Sequence, residues 1–218
     1  MLDDYRQLVE SFTRSPEEEV RPEQIDGAIE LAVIRYSTDR PRRRIEAVAR
    51  DEGLMMAMPA SWEDGFSDLV SLTPADDPLD RVRASILNTI DGDRIYIEDG
   101  QGLAEAHATF TIRHVLTDAE DTIPQKDREA VANYASAVVC EQLATYYSGA
   151  LSSTIQSDSV DHGSKGREFS QRAGRFRKLY QDHLGIDPKR NSAAGVVVDL
   201  DGSDSRGRDR LIQRGRYR

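Results

Sequence analysis

The sequence predicts an α+β protein: mainly an α-helical bundle of about four helices, with an inserted small antiparallel β module and an extended C-terminal tail. Three observations predict this. Apolar residues recur at helical spacing in the first 40 residues and again after Pro124. Between these stretches the pattern changes to short alternating runs broken by Gly, Pro and Asp, as in strands joined by turns. Beyond Pro188 neither period survives. The domain boundaries follow: N-terminal helices over 1–40, a β-rich module over 41–120, a long helical hairpin over 121–186 that completes the bundle with 1–40, and a basic tail over 187–218.

The first helix is read from Leu2, Tyr5, Leu8, Val9 and Phe12, and it ends at Ser15-Pro16. The charged run from Pro16 to Arg21 is a linker. A second helix opens at Pro22, where a proline's missing N–H costs nothing because first-turn donors have no intrahelical acceptor. Its apolar stripe is Ile25, Ala28, Ile29, Ala32, Val33 and Tyr36, and Pro41 stops it.

Arg42 to Arg50 alternates as a strand. Trp62 to Leu72 reads as a short helix or turn followed by an extended piece, and Pro74 to Pro78 as a loop. Ile95 and Ile97 alternate with Arg94, Tyr96 and Glu98. A turn at Asp99-Gly100 and Gly102 then leads to a strand over Thr109–Leu116, with Phe110, Ile112, His114 and Leu116 on one face. Strand, turn and strand imply a hairpin or a small antiparallel sheet.

From Pro124 the stripe Val131, Ala135, Val138, Val139, Leu143 and Tyr146 predicts a helix of about 25 residues, roughly 38 Å long. Asp127 and Glu129 suit the positive end of its dipole, and Gly149 lies near its end. A polar link from Ser152 to Gly163 separates it from a helix over Ser164–Leu184. Phe169, Ala173, Phe176, Tyr180 and Leu184 share one face of that helix. Lys165, Arg167, Arg172, Arg175, Arg177 and Lys178 share another. Gly185 and Pro188 end it, as a glycine cap with a following proline does. In the tail, Gly195 to Asp199 is compatible with one isolated strand, and the remainder is too polar to fold alone.

Composition narrows the function. A single cysteine, Cys140, cannot form an internal disulfide, so the fold is expected not to depend on an oxidising compartment. The acidic start lacks the basic and apolar regions of a secretory signal, and no apolar run approaches the roughly 18 residues of a membrane span. Net charge is −10, which disfavours broad contact with phosphate. The charge is nevertheless segregated, because residues 206–218 hold six arginines against the single acid Asp209. A basic tip on an acidic body points to intermolecular attachment.

The search for reaction chemistry returns no residue set. His107, His114, His162 and His183 lack the spacing of helix-borne metal ligands, and Cys140 stands alone. Asp199 to Asp204 lacks the spacing and closing Glu of a calcium loop, and Gly163-Ser164-Lys165 lacks the upstream glycine and strand of a phosphate loop. No nucleophile elbow or dinucleotide fingerprint occurs. The expectation is a protein that is not an enzyme, with no catalytic, metal-binding or cofactor-binding residues and no cofactor. For the tail three readings stand: a docking peptide anchored by Leu211, Ile212 and Tyr217, an arginine–glycine nucleic-acid-binding end, or a solvated terminus.

Several runs in the second half share one resemblance. They are Thr122-Ile123-Pro124, Glu129-Ala130-Val131, Cys140-Glu141-Gln142-Leu143-Ala144, Tyr146-Tyr147, Thr154-Ile155, Asp158 to His162, Ser164-Lys165 and Tyr180 to Gly185. Together they resemble the head–tail connector, or head-completion adaptor, proteins of tailed bacteriophages. Trp62–Leu72 and Thr109–Leu116 look like the middle module of longer members. The resemblance covers residues 20–186 and leaves the tail outside.

It implies a homo-oligomeric ring of about twelve subunits in the virion neck, assembled in the host cytoplasm. The ring would sit under the capsid portal protein, meet a downstream neck or tail-completion protein, and pass viral double-stranded DNA without reading its sequence. On this reading Val131, Val138, Leu143, Tyr146, Phe169, Phe176 and Tyr180 serve subunit packing. Arg206, Arg208, Arg210, Leu211, Ile212, Arg214, Arg216, Tyr217 and Arg218 form a portal-docking tail. No membrane partner is expected. The alternative is a nucleic-acid-binding protein acting through the tail.

Overall fold

A computed structural model describes residues 1–14, 20–77, 80–90, 92–98, 103–150 and 162–187. Met1–Gly185 form one unit and Ile186–Arg218 a second, of which only 186 and 187 fall among the described residues. Residues 206–218 therefore lie outside them, as do the turn at 99–102 and the link at 152–161.

Helix α1 spans Leu2–Thr13, and α2 spans Pro22–Asp39 with Pro22 in its first turn. The Gln24 side chain reaches back to accept the Arg21 backbone N–H at 2.9 Å, which fixes the start of α2. Every member of the predicted α2 stripe is buried. A 3-10 turn, Gln125–Asp127, leads into α3, Arg128–Ala150, and α4 runs His162–Leu184. Gly185 closes α4 with φ of +70°, a conformation that side chains resist.

Helix α3 departs from the single stripe read from its sequence. Ala130, Val131, Ala132, Ala135, Ala137, Val139, Cys140, Leu143 and Tyr147 are all buried, on nearly every side. It touches α1, α2 and α4 and is the central helix of the group. Its alanines make this possible, since small side chains let neighbours approach from several directions. Gly166 of α4 does the same at the α3–α4 crossing, where a Cβ would stand 3.2 Å from Ser148 Oγ.

The expectation of a helical bundle carrying a small β module is overturned. Among the described residues, six strands form two three-stranded antiparallel sheets, so the protein is a mixed α+β fold in which the β region is a principal part. The strands are β1 (Arg42–Ala49), β2 (Met55–Met56), β3 (Leu69–Pro74), β4 (Ala84–Thr89), β5 (Gly92–Ile97) and β6 (Glu105–Ile112). One sheet has the order β1-β6-β3 and the other β2-β5-β4. Between them lies a separate core of Val48, Met56, Leu72, Ile95, Ile97 and Phe110 with smaller neighbours, and Trp62 packs against Phe110 with ring centroids 5.7 Å apart.

Of the two alternatives for Ile95–Ile97 and Thr109–Leu116, a hairpin or a small antiparallel sheet, the hairpin is corrected: both runs lie in antiparallel sheets, but in different ones. The strand containing Ile95 pairs with β4 at Ile86↔Ile95, whereas β6 pairs with β1 at Ile45↔Thr109. Trp62–Leu72 contains turns at 64–66 and then β3, with no helix. The last strand begins earlier and ends at Ile112. Its inward residues are Ala106, Ala108, Phe110 and Ile112, so half of the inward face is alanine and gives little apolar signal.

Candidate assembly interface

The helical and β parts have separate cores, and a set of polar side chains at the α2 C-terminus joins them. His114, just after β6, donates its backbone N–H to Ser37 Oγ at 2.9 Å. Its ring nitrogens lie 3.0 Å from the Arg40 and Thr122 carbonyl oxygens, and its ring rests 4.9 Å from that of Tyr36. Burial pushes its pKa below the ordinary histidine value and outweighs the carbonyl bonds that act the other way. These contacts tie the exit of β6 to the end of α2.

Asp127 is the second tie, with its side chain only 2% exposed. It accepts from Tyr36 Oη at 2.7 Å and from Arg40 Nη1 at 3.4 Å, and His183 Nε2 lies 2.8 Å away. Burial alone would raise its pKa. Hydrogen bonds from Tyr36 and His183 and the charge of Arg40 reverse the direction and hold it ionised. Asp39 acts in parallel, accepting from Tyr180 Oη at 2.7 Å and Arg35 Nε at 2.8 Å. Two carboxylates therefore lock the C-terminal turns of α2 and α4 to each other and to the start of α3. A third, Asp121, pairs with Arg128 at 2.7 Å.

These groups bridge elements of the fold. The Asp127–His183 pair resembles half of a catalytic arrangement, but His183 hydrogen-bonds no hydroxyl or thiol among the described residues. Cys140 is buried and its thiol is pushed up to about 11 by burial, which keeps it protonated at neutral pH. No cluster of His, Cys, Asp or Glu suited to a metal ion occurs among the described residues, and no described helix is long and apolar enough to cross a membrane.

The residues expected to serve subunit packing fall into three groups. Val131, Leu143 and Tyr180 are buried in the chain's own helical core, and Tyr180 packs edge-on against Tyr134 at 5.0 Å. Val138, Phe169 and Phe176 are half-buried; Phe176 stacks on Phe12 of α1, and Phe169 on Tyr147 of α3. Tyr146 alone stands well out, at 65% exposure. These side chains mainly hold the four helices together, and they shape an outer surface made by other residues.

That outer surface carries exposed apolar groups. Leu31 and Ile34 project from α2 and Leu179 from α4, and Ile90 stands fully exposed at the tip of the β4–β5 hairpin. A groove of about 630 Å³ opens between α1, α2 and the segment after β6, with Leu2, Gly27, Ile34, Val115 and Leu116 among its lining. Glu23 and Glu30 stand at its edge and pair with no described residue, whereas Asp26 is held by Arg6 at 2.6 Å. On α4, Arg167, Arg175 and Lys178 are exposed and pair with no described residue. The free edge of β1 carries Arg42, Arg43 and Arg44, a charge run that discourages strand addition.

Sequence reasoning missed the groove and the polar joint. The groove had a signal in Glu23, Gly27, Glu30 and Ile34, spaced along one face of α2 beside the buried stripe. The joint had none, because Tyr36 and Asp127 are 91 positions apart. No model of a known protein family matches the chain, and no curated protein matches it.

Proposed function

We propose that the chain is a structural adaptor of a phage neck: a ring that joins the capsid portal to the next neck or tail protein and extends the DNA channel. The observation that carries the reading is uncovered apolar surface on a helical group whose own core is already complete. Leu31, Ile34, Tyr146 and Leu179 are each at least about two-fifths exposed, on three different helices, and neighbouring copies would cover them. Segregated charge supports it too, because a basic segment on an acidic body suits attachment to a partner's carboxylates. The buried polar joint at Asp127 and His114 fits the same role, since it ties the helical and β parts of one subunit together.

The chain mixed with the portal protein should form a stacked ring visible by electron microscopy, and deleting residues 206–218 should weaken that assembly. Absence of any ring under conditions where the portal is intact would remove the proposal.

A second reading is nucleic-acid binding through the arginine-rich tail, favoured by the exposed cations Arg167, Arg175 and Lys178 on α4, which pair with no described residue. It predicts DNA affinity that falls steeply with salt. A filter-binding titration with no retention at low salt would sink it.

A further inference from the structure

We propose that the groove between α1, α2 and the Val115–Leu116 segment receives the arginine-rich segment 206–218 of a second copy of this chain. The inference rests on the ring reading for its biological purpose, but its chemistry stands on the groove itself.

The groove is apolar along its length and acidic at its edge. Ile34 and Val115 are 50% and 40% exposed, so the isolated chain leaves them in water. Glu23, Gly27, Glu30 and Ile34 follow one another along one face of α2 at helical spacing. Glu23 and Glu30 are seven residues apart, which places their Cα atoms about 10.5 Å apart along the helix axis. Neither carboxylate forms an ion pair with a described residue, and Gly27 leaves a gap between them with nothing within 4 Å of where a Cβ would stand.

Segment 206–218 has the complementary chemistry in the complementary order. Leu211 and Ile212 are flanked by Arg210 on one side and Arg214 on the other. In an extended chain those two arginines lie about 13 Å apart, within side-chain reach of carboxylates spaced like Glu23 and Glu30. Ile212, on the same face of the extended chain as Arg210 and Arg214, then falls over the glycine gap. Residues 188–205 reach at most about 60 Å when extended, enough to span to a neighbouring molecule. Because the donor segment and the receiving groove are different surfaces, repeating the contact from copy to copy closes a ring or grows a filament, and does not stop at a pair.

The test is fluorescence anisotropy of a labelled synthetic peptide of residues 206–218 titrated with the full chain. Three variants are compared. Gly27→Leu fills the gap at a helical position with open space. Glu23→Lys with Glu30→Lys reverses the edge charges. Glu52→Lys with Glu129→Lys makes the same net charge change elsewhere. Circular dichroism melts establish that each variant is folded.

The proposal expects saturable binding to the natural chain, a loss of at least about tenfold in both groove variants, and a change of less than about twofold in the remote charge variant. Absence of saturable binding overturns it, and so does equal weakening by the groove and remote charge variants. A peptide that binds portal protein but not this chain also overturns it, and leaves the ring reading standing.

Discussion

Replacing Asp127 with alanine should remove about 3 kcal/mol of folding stability, and the figure follows from who surrounds the carboxylate. Tyr36 is buried with it, so the 2.7 Å bond between them loses a charged acceptor and strands a hydroxyl away from water. A hydrogen bond to a charged group contributes roughly 1.5–3 kcal/mol, and an orphaned buried group costs a similar amount, so this pair supplies about 2 to 3 kcal/mol. His183 and Arg40 are 38% and 41% exposed and regain water when the carboxylate leaves, so each adds only about 0.5 kcal/mol.

Urea denaturation followed by far-ultraviolet circular dichroism measures the change. With a slope of about 2 kcal/mol per molar, the midpoint should fall by about 1.5 M at unchanged slope. Tyr36→Phe alone should cost about 1 to 1.5 kcal/mol, because it deletes the hydroxyl along with the bond. In that background Asp127→Ala should cost correspondingly less, since the pair acts as a unit. A loss under about 1 kcal/mol for Asp127→Ala, or an undiminished loss in the Tyr36→Phe background, would refute the account of the joint.

Two further outcomes follow. His114 has a folded pKa below its ordinary 6.5, so the unfolded chain binds more protons in that window: stability is full above pH 6.5 and falls as the pH drops toward the folded value. The urea midpoint should show this fall in the natural chain, and a His114→Gln variant should lack it between pH 6.5 and the carboxylate range. Cys140 should react with a thiol-specific reagent in the native chain far more slowly than in urea, because it is buried and its thiol is raised to about 11; equal rates in the two states would contradict its placement in the core.

What the sequence made legible was local. Pro22, the stripe from Ile25 to Tyr36 and Pro41 mark α2 to within a residue or two of its ends. Phe169, Tyr180 and Gly185 mark α4 in the same way. These signals survive because each depends on residues three or four apart. Helix α3 was located but its environment was not, since a stripe reading weighs valine and leucine, and the closeness of its neighbours is set by Ala130, Ala132 and Ala137.

The β region was undervalued for related reasons. A two-residue strand at Met55–Met56 is too short to show a period, and Ile86-Leu87 puts two apolar residues side by side in β4. Asp127 reads along the chain as a helix-dipole acid, and only the fold brings Tyr36, Arg40 and His183 to it. His114 likewise continues the alternation of β6 but lies past its end, held by Ser37 and Arg40 from α2.

The central claim is that copies of this chain assemble around a common axis on a larger particle. Native mass spectrometry and negative-stain electron microscopy of the purified full chain, alone and after mixing with portal protein, test it most directly. The account predicts a closed ring of about twelve copies seated on the portal. A chain that stays monomeric at every concentration and leaves the portal bare would contradict it.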